Sequence, residues 1–263
     1  MDFAGLIAGR ERSGARVTFR VGADWQHGRT LFGGLVAACA ACAIRDVAGP
    51  ARALRALQVA FVGPVPAGEL AVDVDVLREG RAVTQVRAVA HAGDGAGCHV
   101  LAVLGDARAS ALPVSAARRP PARDVDELAD VPFIGPPMPG FMRQLRVRWA
   151  EGGLPFSGGD TRASRLWLQL RGEPAPAELC AILFADAMPS PIMAAATGRL
   201  HAASLAWSLE VLAAGAGAAA DGWWRADTEL TASADGYANQ RSTIWAPDGA
   251  PAAFSHQVVA VYA

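Results

Sequence analysis

The chain carries little net charge, and this shortage excludes one class of partner. Its 24 basic and 25 acidic residues give a formal net charge of -1 at pH 7. It therefore lacks the positive surface that is typical of nucleic-acid-binding proteins. Aromatic residues make up 7% of the chain, which is few for a surface that stacks unpaired bases. We expect no nucleic acid among the partners.

Long apolar runs are also missing, and no stretch approaches the roughly 20 residues that a transmembrane helix needs. The first residues, MDFAGLIAGRERSGAR, contain no apolar core of signal-peptide length after a basic start. These absences predict a cytoplasmic protein that uses no membrane.

Cysteine and histidine are scarce as well. Four cysteines are too few for a disulfide scaffold in 263 residues. Cys39 and Cys42 form a C-x-x-C pair inside an alanine-rich run, so we interpret them as small buried side chains. The five histidines show no paired metal-ligand spacing, and neither a G-x-S-x-G elbow nor a phosphate loop occurs. We expect no metal and no cofactor.

What the chain does contain is apolar sequence, at 52% of its residues, arranged in two similar series. In the first, GGLVAACAACAIR predicts a helix over residues 33–46, with a Gly-Gly pair at its N-terminus and short side chains that allow a sheet to pack closely. Four strand-like segments follow it, at 54–62, 69–77, 82–92 and 98–109.

The second series repeats this order after a proline-rich stretch at 113–140. Residues 177–197 predict a helix that is interrupted by prolines. Strand-like segments follow it at 204–212, 223–234, 239–247 and 252–263. We therefore predict an α+β fold with one module used twice, a double hotdog in which each antiparallel sheet wraps a long helix. The predicted domains are 1–112 and 141–263, with 113–140 as an outer connector.

Short motifs in both series carry a resemblance to a known family. The first series has Trp25, FGG at 32–34, F-x-x-P at 61–64 and LREGR at 77–81. The second has FAD at 184–186, ASL at 203–205, R-x-x-I-W-x-x-D-G at 241–249 and S-x-Q at 255–257. In this order and spacing the chain resembles the type II acyl-CoA thioesterases.

The resemblance implies a thioester hydrolase with three catalytic residues in the second module, which fall on Asp186, Ser204 and Gln257. Their chemistry suits the reaction, because a carboxylate can accept a proton from water while a hydroxyl and an amide orient that water. Each residue alone also has an ordinary structural interpretation. Asp186 could be a helix cap, and Ser204 and Gln257 could be solvated strand residues.

Further residues are candidates for substrate binding. The N-terminus of the first helix, at Phe32, Gly33 and Gly34, can offer backbone N–H groups to the thioester oxygen. Arg241 can meet the phosphates of coenzyme A. The expected substrate is an acyl-CoA, with acyl carrier protein as the other possible carrier, and the expected assembly is a homo-oligomer.

Two alternative functions stay open. A hotdog dehydratase or hydratase would pair an Asp with a nearby His, and the next histidine after Asp186 is His201, beyond two prolines. A double hotdog that binds acyl thioesters without turnover is the other alternative. It is favoured by Ala206-Trp207, where members of the family typically carry Asp-His.

Overall fold

Twelve antiparallel strands form one continuous sheet in the computed structural model, which describes residues 1–93, 95–112, 115, 117–136, 138–159, 162–198, 200–212 and 221–262. Part of the predicted connector (113, 114, 116 and 137) lies outside the described residues. The helices are α1 (Phe3–Ala8), α2 (Gly33–Ala48), α3 (Ala177–Ala185) and α4 (Ile192–Ala195).

The strands of the first half are β1 (Glu11–Ser13), β2 (Arg16–Val21), β3 (Gln26–His27), β4 (Thr30–Leu31), β5 (Ala53–Phe61), β6 (Gly68–Glu79), β7 (Val83–Ala92) and β8 (Gly95–Gly105). Those of the second half are β9 (Leu145–Glu151), β10 (Ala163–Leu170), β11 (His201–Val211), β12 (Trp224–Ala234), β13 (Tyr237–Trp245) and β14 (Pro251–Tyr262). Strands β3 and β4 form a separate hairpin.

The two halves repeat one order of elements. The first runs β2, α2, β5, β6, β7, β8, and the second runs β10, α3, β11, β12, β13, β14. In the sheet they are mirrored as β2-β6-β7-β8-β5 followed by β11-β14-β13-β12-β10, so the halves join where β5 pairs with β11. This arrangement confirms the predicted α+β double hotdog.

Helix α2 lies inside the curve of the first half of the sheet. It packs against β2, β6, β7 and β8, and it also contacts α3 of the second half. Every residue from Gly34 to Ile44 is buried, and Ala37, Ala38, Ala40 and Ala41 are at most 1% exposed. The short side chains let sheet and helix approach from several sides at once.

The helix of the second half is shorter than predicted. It ends at Ala185 rather than continuing towards 197, because Pro189 and Pro191 remove backbone donors and disfavour helical geometry before them. Of the predicted remainder, only the four residues Ile192–Ala195 are helical. The early stop places Asp186 at the end of α3, where its side chain can leave the helix.

The second part of the connector lies against strands of the second half. Arg148 donates to the carbonyl oxygen of Val125 at 2.7 Å, and the Trp167 indole donates to that of Arg123 at 3.1 Å. Buried Arg225 donates to the carbonyl oxygen of Pro120 at 2.7 Å. These bonds satisfy backbone groups of a segment that has little secondary structure of its own. The boundaries at 112 and 141 stay a prediction.

Candidate active site

Asp186 occupies the C-cap position of α3, with φ -111° and ψ -1°. An aspartate at this end of a helix is not stabilised by the helix dipole, which favours negative charge at the other end. Its carboxylate instead accepts hydrogen bonds from β11 and β14 and lies at the N-terminus of α2. Asp186 is therefore a cap by position, but its side chain bonds to groups outside its own helix.

Ser204 faces the same side of the sheet as Trp207 because β11 contains a bulge. The pairing with β14 shifts between Ser204 and Ala206, so Leu205 is the extra residue and is 37% exposed. Without the extra residue, strict alternation would place Ser204 and Trp207 on opposite faces. The Ser204 hydroxyl lies 3.5 Å from Oδ1 of Asp186 and donates to it.

Gln257 points inward from β14. Burial alternates along this strand, with Ser255, Gln257 and Val259 buried and His256 exposed between them, as the sequence pattern predicts. The Gln257 amide nitrogen Nε2 donates to Asp186 Oδ1 at 2.5 Å and to Ser204 Oγ at 2.8 Å. The three residues predicted from the sequence therefore lie in direct contact, on the inner face of the sheet.

The N-terminus of α2 completes this cluster from the other half of the chain. The N-cap residue Phe32 makes no side-chain hydrogen bond to the helix, and the backbone N–H of Gly34 interacts with the Asp186 carboxylate and lowers its pKa. A Cβ on Gly33 would lie 2.8 Å from Asp186 Oδ2 and 3.0 Å from the Phe61 ring. A Cβ on Gly34 would lie 2.8 Å from the carbonyl oxygen of Leu183. Both positions therefore need glycine for close approach.

The surroundings of Asp186 shift the pKa of its carboxyl group. Burial raises the pKa of Asp186 from 3.8 to about 6, while the hydrogen bonds from Gln257, Gly34 and Ser204 lower it. Asp186, Ser204, Gly33 and Phe61 are each half-buried, and we call these four residues the rim of the cluster. A carboxyl group with a pKa close to neutral pH can take up and release a proton during a reaction.

Two of the predicted substrate-binding residues are not available at this rim. The backbone N–H of Phe32 already donates to the carbonyl oxygen of Trp25 at 3.0 Å, and its buried ring stacks on that of Phe141 with centroids 4.0 Å apart. Arg241 is exposed on the outer face of β13, where it pairs with Glu229 at 2.6 Å. Because Asp186 contacts the inner face of the sheet, the structure does not bring Arg241 to the cluster.

Two residues that the sequence interpretation did not single out are in contact with the cluster. Phe61 was noted only as part of the F-x-x-P motif, and it lies at the rim beside Gly33. Gln240 donates through Nε2 to Gln257 Oε1 at 2.7 Å. Alternation in β13 could have placed Gln240 on a buried face, but only the pairing of β13 with β14 sets it opposite Gln257.

Trp207, at the position where the sequence departs from the family pattern, is 2% exposed and faces inward. Its indole N–H donates to Ser255 Oγ at 2.7 Å. Ser255 is the first residue of the S-x-Q motif. Trp207, which replaces a polar residue of the family pattern, therefore has its hydrogen-bond partner two residues before Gln257.

A groove of about 740 Å³ crosses the strands at the junction of the two halves. Its lining includes exposed residues such as Ala60 and His256 and also the buried Gln240 and Gln257, whereas Asp186 and Ser204 do not line it. The described residues contain no group of three or more His, Cys, Asp or Glu side chains arranged to hold a metal ion. No helix in the described part of the chain has the length and apolarity needed to span a membrane.

Comparison with protein families matches both halves of the chain. Residues 21–105 match the acyl-CoA thioesterase N-terminal domain, and residues 120–261 match the acyl-CoA thioesterase C-terminal domain. A search of curated proteins by sequence gives no match.

Solved structures share the fold over nearly the whole chain. A conserved protein of unknown function with hot dog fold from Alicyclobacillus acidocaldarius superposes with a TM-score of 0.86 at 17% identity, covering 98% of this chain and 97% of that one. The acyl-CoA thioesterase II TesB2 from Mycobacterium marinum gives 0.77 at 18% identity and 98% coverage of both chains. The dehydratase domain of RzxB from Pseudomonas fluorescens gives 0.58 at 13% identity, covering 98% and 99%.

Proposed function

This chain belongs to the acyl-CoA thioesterase family, and we propose that it hydrolyses an acyl-CoA with a water molecule activated by Asp186 and oriented by Ser204 and Gln257. One observation carries the proposal. The Asp186 carboxylate, with a pKa raised to about 6, accepts hydrogen bonds from both Gln257 and Ser204 beside the N-terminus of α2.

The two carboxylate oxygens have different surroundings, which supports a division of roles. Oδ1 accepts from Gln257 and Ser204, so it is held in place. Oδ2 lies towards half-buried Gly33. We assign Oδ2 as the atom that accepts the proton, because neither Gln257 nor Ser204 donates to it.

The reaction then proceeds in two balanced steps. Water adds to the thioester carbon while its proton passes to Asp186, and the carbonyl oxygen becomes negative. The positive end of α2, with the backbone N–H of Gly33 at the rim, stabilises that oxygen. When the tetrahedral intermediate collapses, the C–S bond breaks and Asp186 returns its proton to the sulfur. The products are a carboxylic acid and free coenzyme A.

The dehydratase alternative lacks its second residue in this geometry. Such an enzyme needs a histidine next to the aspartate, and His201 is an exposed residue at the start of β11. Among the described residues, Asp186 interacts with Gln257, Ser204 and the backbone of Gly34, and none of these is a histidine. Binding without turnover is the second alternative, since buried Trp207 stands where the family pattern has a polar pair.

A thiol-release assay tests the proposal across acyl-CoA substrates from acetyl to long-chain, with acyl carrier protein thioesters as a second carrier. We expect release of free thiol by the wild type and its loss in Asp186→Asn. The matched control is Asp73→Asn, the same chemical change in an exposed ion pair with Arg16. Binding of acyl-CoA with no thiol release would favour the non-catalytic alternative and overturn the proposal.

The proposed homo-oligomer is tested separately. Light scattering at micromolar concentration should give a mass above the 27.2 kDa of one chain. A mass equal to that of one chain would contradict it.

A further inference from the structure

Gln257 has two cross-strand neighbours on the inner face of the sheet, and only one of them bonds to its amide. In β11 its partner is Trp207, whose indole N–H is already used by Ser255. In β13 its partner is Gln240, which donates through Nε2 to Gln257 Oε1 at 2.7 Å. Gln240 is 4% exposed and Gln257 is 5% exposed, so water does not compete freely for this bond.

The amide group of a glutamine can rotate by about 180°. One orientation presents its N–H donors to a neighbour, and the other presents its carbonyl acceptor. With Nε2 towards Asp186, Gln257 donates to the carboxylate; with Oε1 there, two acceptors would face each other. In its present orientation Gln240 donates an N–H to Oε1 and so stabilises the first orientation of Gln257. The bonds run in one direction, from Gln240 to Gln257 to Asp186.

The buried position of the Gln240 side chain lowers the stability of the fold. Its own Oε1 is buried and has no hydrogen-bond partner among the described residues. An unpaired buried acceptor destabilises a protein, so a glutamine here is poorly explained by stability. The bond that it does make leads directly to the catalytic cluster.

From these contacts we propose that Gln240 is a positioning residue of the thioesterase site, which fixes the amide orientation of Gln257 and thereby the hydrogen bonding of Asp186. This inference rests on the proposed function, and nothing in the family resemblance pointed to Gln240. It assigns to β13 a role in catalysis without contact to the substrate.

Gln240→Met tests the role, because methionine is similar in length and cannot donate to Gln257. We expect kcat to fall about ten-fold with KM nearly unchanged, since orientation and not substrate contact is lost. Ser242→Ala is the matched control. It removes a buried hydrogen bond, to Thr228 at 2.8 Å, on the same strand and face without reaching Asp186. An equal loss of kcat in Ser242→Ala would overturn the inference.

A double-mutant cycle separates positioning from general damage. In a Gln257→Ala background, Gln240→Met should change kcat by less than about two-fold, because its only route to the cluster is gone. A further loss similar to that in the wild-type background would contradict the role. Gln240→Leu serves as a second variant if the methionine variant does not fold.

Titration of the Asp186 carboxyl carbon by NMR gives a readout that needs no activity. We expect a higher pKa of Asp186 in Gln240→Met than in the wild type, because the donor bond from Gln257 is then made only part of the time. An unchanged pKa would overturn the inference. If the wild type hydrolyses no thioester, the proposed function fails while this titration still decides the role of Gln240.

Discussion

The backbone N–H of Gly34, in the first half of the chain, interacts with the carboxylate of Asp186, in the second half, and lowers its pKa. The helix that supplies the N–H and the helix that supplies the carboxylate therefore meet end to end in the interior of the sheet. Neither half on its own supplies all the groups of the proposed site. Duplication of the module allows one copy to supply the helix N-terminus and the other the polar side chains.

Asp186→Asn should lower kcat by about 10²–10⁴, because the amide keeps the shape of the side chain but cannot accept the proton from water. In the wild type, kcat should fall as pH decreases through about 6, where Asp186 becomes protonated. A pH–rate profile checks both expectations. An acid limb that persists unchanged in the residual activity of Asp186→Asn would contradict the assignment of the base.

The same substitution should stabilise the fold at alkaline pH. The pKa of Asp186 in the folded state, about 6, lies above its ordinary value of 3.8, so the folded protein binds the proton more tightly than the unfolded chain. The resulting stabilisation is complete below the ordinary value and is lost as pH rises through 6. At pH 8 the neutral asparagine should therefore gain on the order of 1–3 kcal/mol in free energy of unfolding.

Thermal unfolding at pH 8 and at pH 4 measures this difference, which should be largest at pH 8. Asp73→Asn gives a control of opposite sign, because the hydrogen bond from Arg16 lowers the pKa of that carboxyl. It should leave stability at pH 8 unchanged or reduced. A lower melting temperature for Asp186→Asn at pH 8 would show that its hydrogen bonds outweigh its burial.

Substitutions at the two orienting residues should differ in severity. Ser204→Thr keeps the hydroxyl and should leave kcat nearly unchanged, whereas Ser204→Ala removes a partner of both Asp186 and Gln257 and should lower it. Gln257→Ala should cost less than Asp186→Asn, because it removes an orienting bond and not the proton acceptor. Steady-state kinetics rank the four variants, and a larger loss in Gln257→Ala than in Asp186→Asn would reverse the assigned roles.

Gly33→Ala should lower kcat about ten-fold or more, since its Cβ would lie 2.8 Å from Asp186 Oδ2 and displace it. The matched control is Gly63→Ala, whose Cβ would meet only the carbonyl oxygen of Ala96 at 3.8 Å. The kinetic assay compares the two at equal folded fraction, judged by circular dichroism. Full activity in Gly33→Ala would show that the carboxylate does not need this approach.

The sequence by itself determined the repeated order of elements and the face on which several residues lie. Alternation along β14 sets Ser255 and Gln257 on the side opposite His256, and burial follows that alternation. The short side chains of α2 predicted a tightly packed helix, which the structure confirms. These features depend on residues that are close together in the chain, so periodicity is enough to reveal them.

The tertiary structure decided which of those faces meet. Arg241 and Gln240 are adjacent in sequence, yet the first lies on the outer face and the second bonds to Gln257, because successive residues of a strand point in opposite directions. The bulge at Leu205 and the contact of Gly34 with Asp186 are likewise absent from local pattern. They arise from strand register and helix packing between segments far apart in the chain, where one residue of shift would move every side chain to the other face.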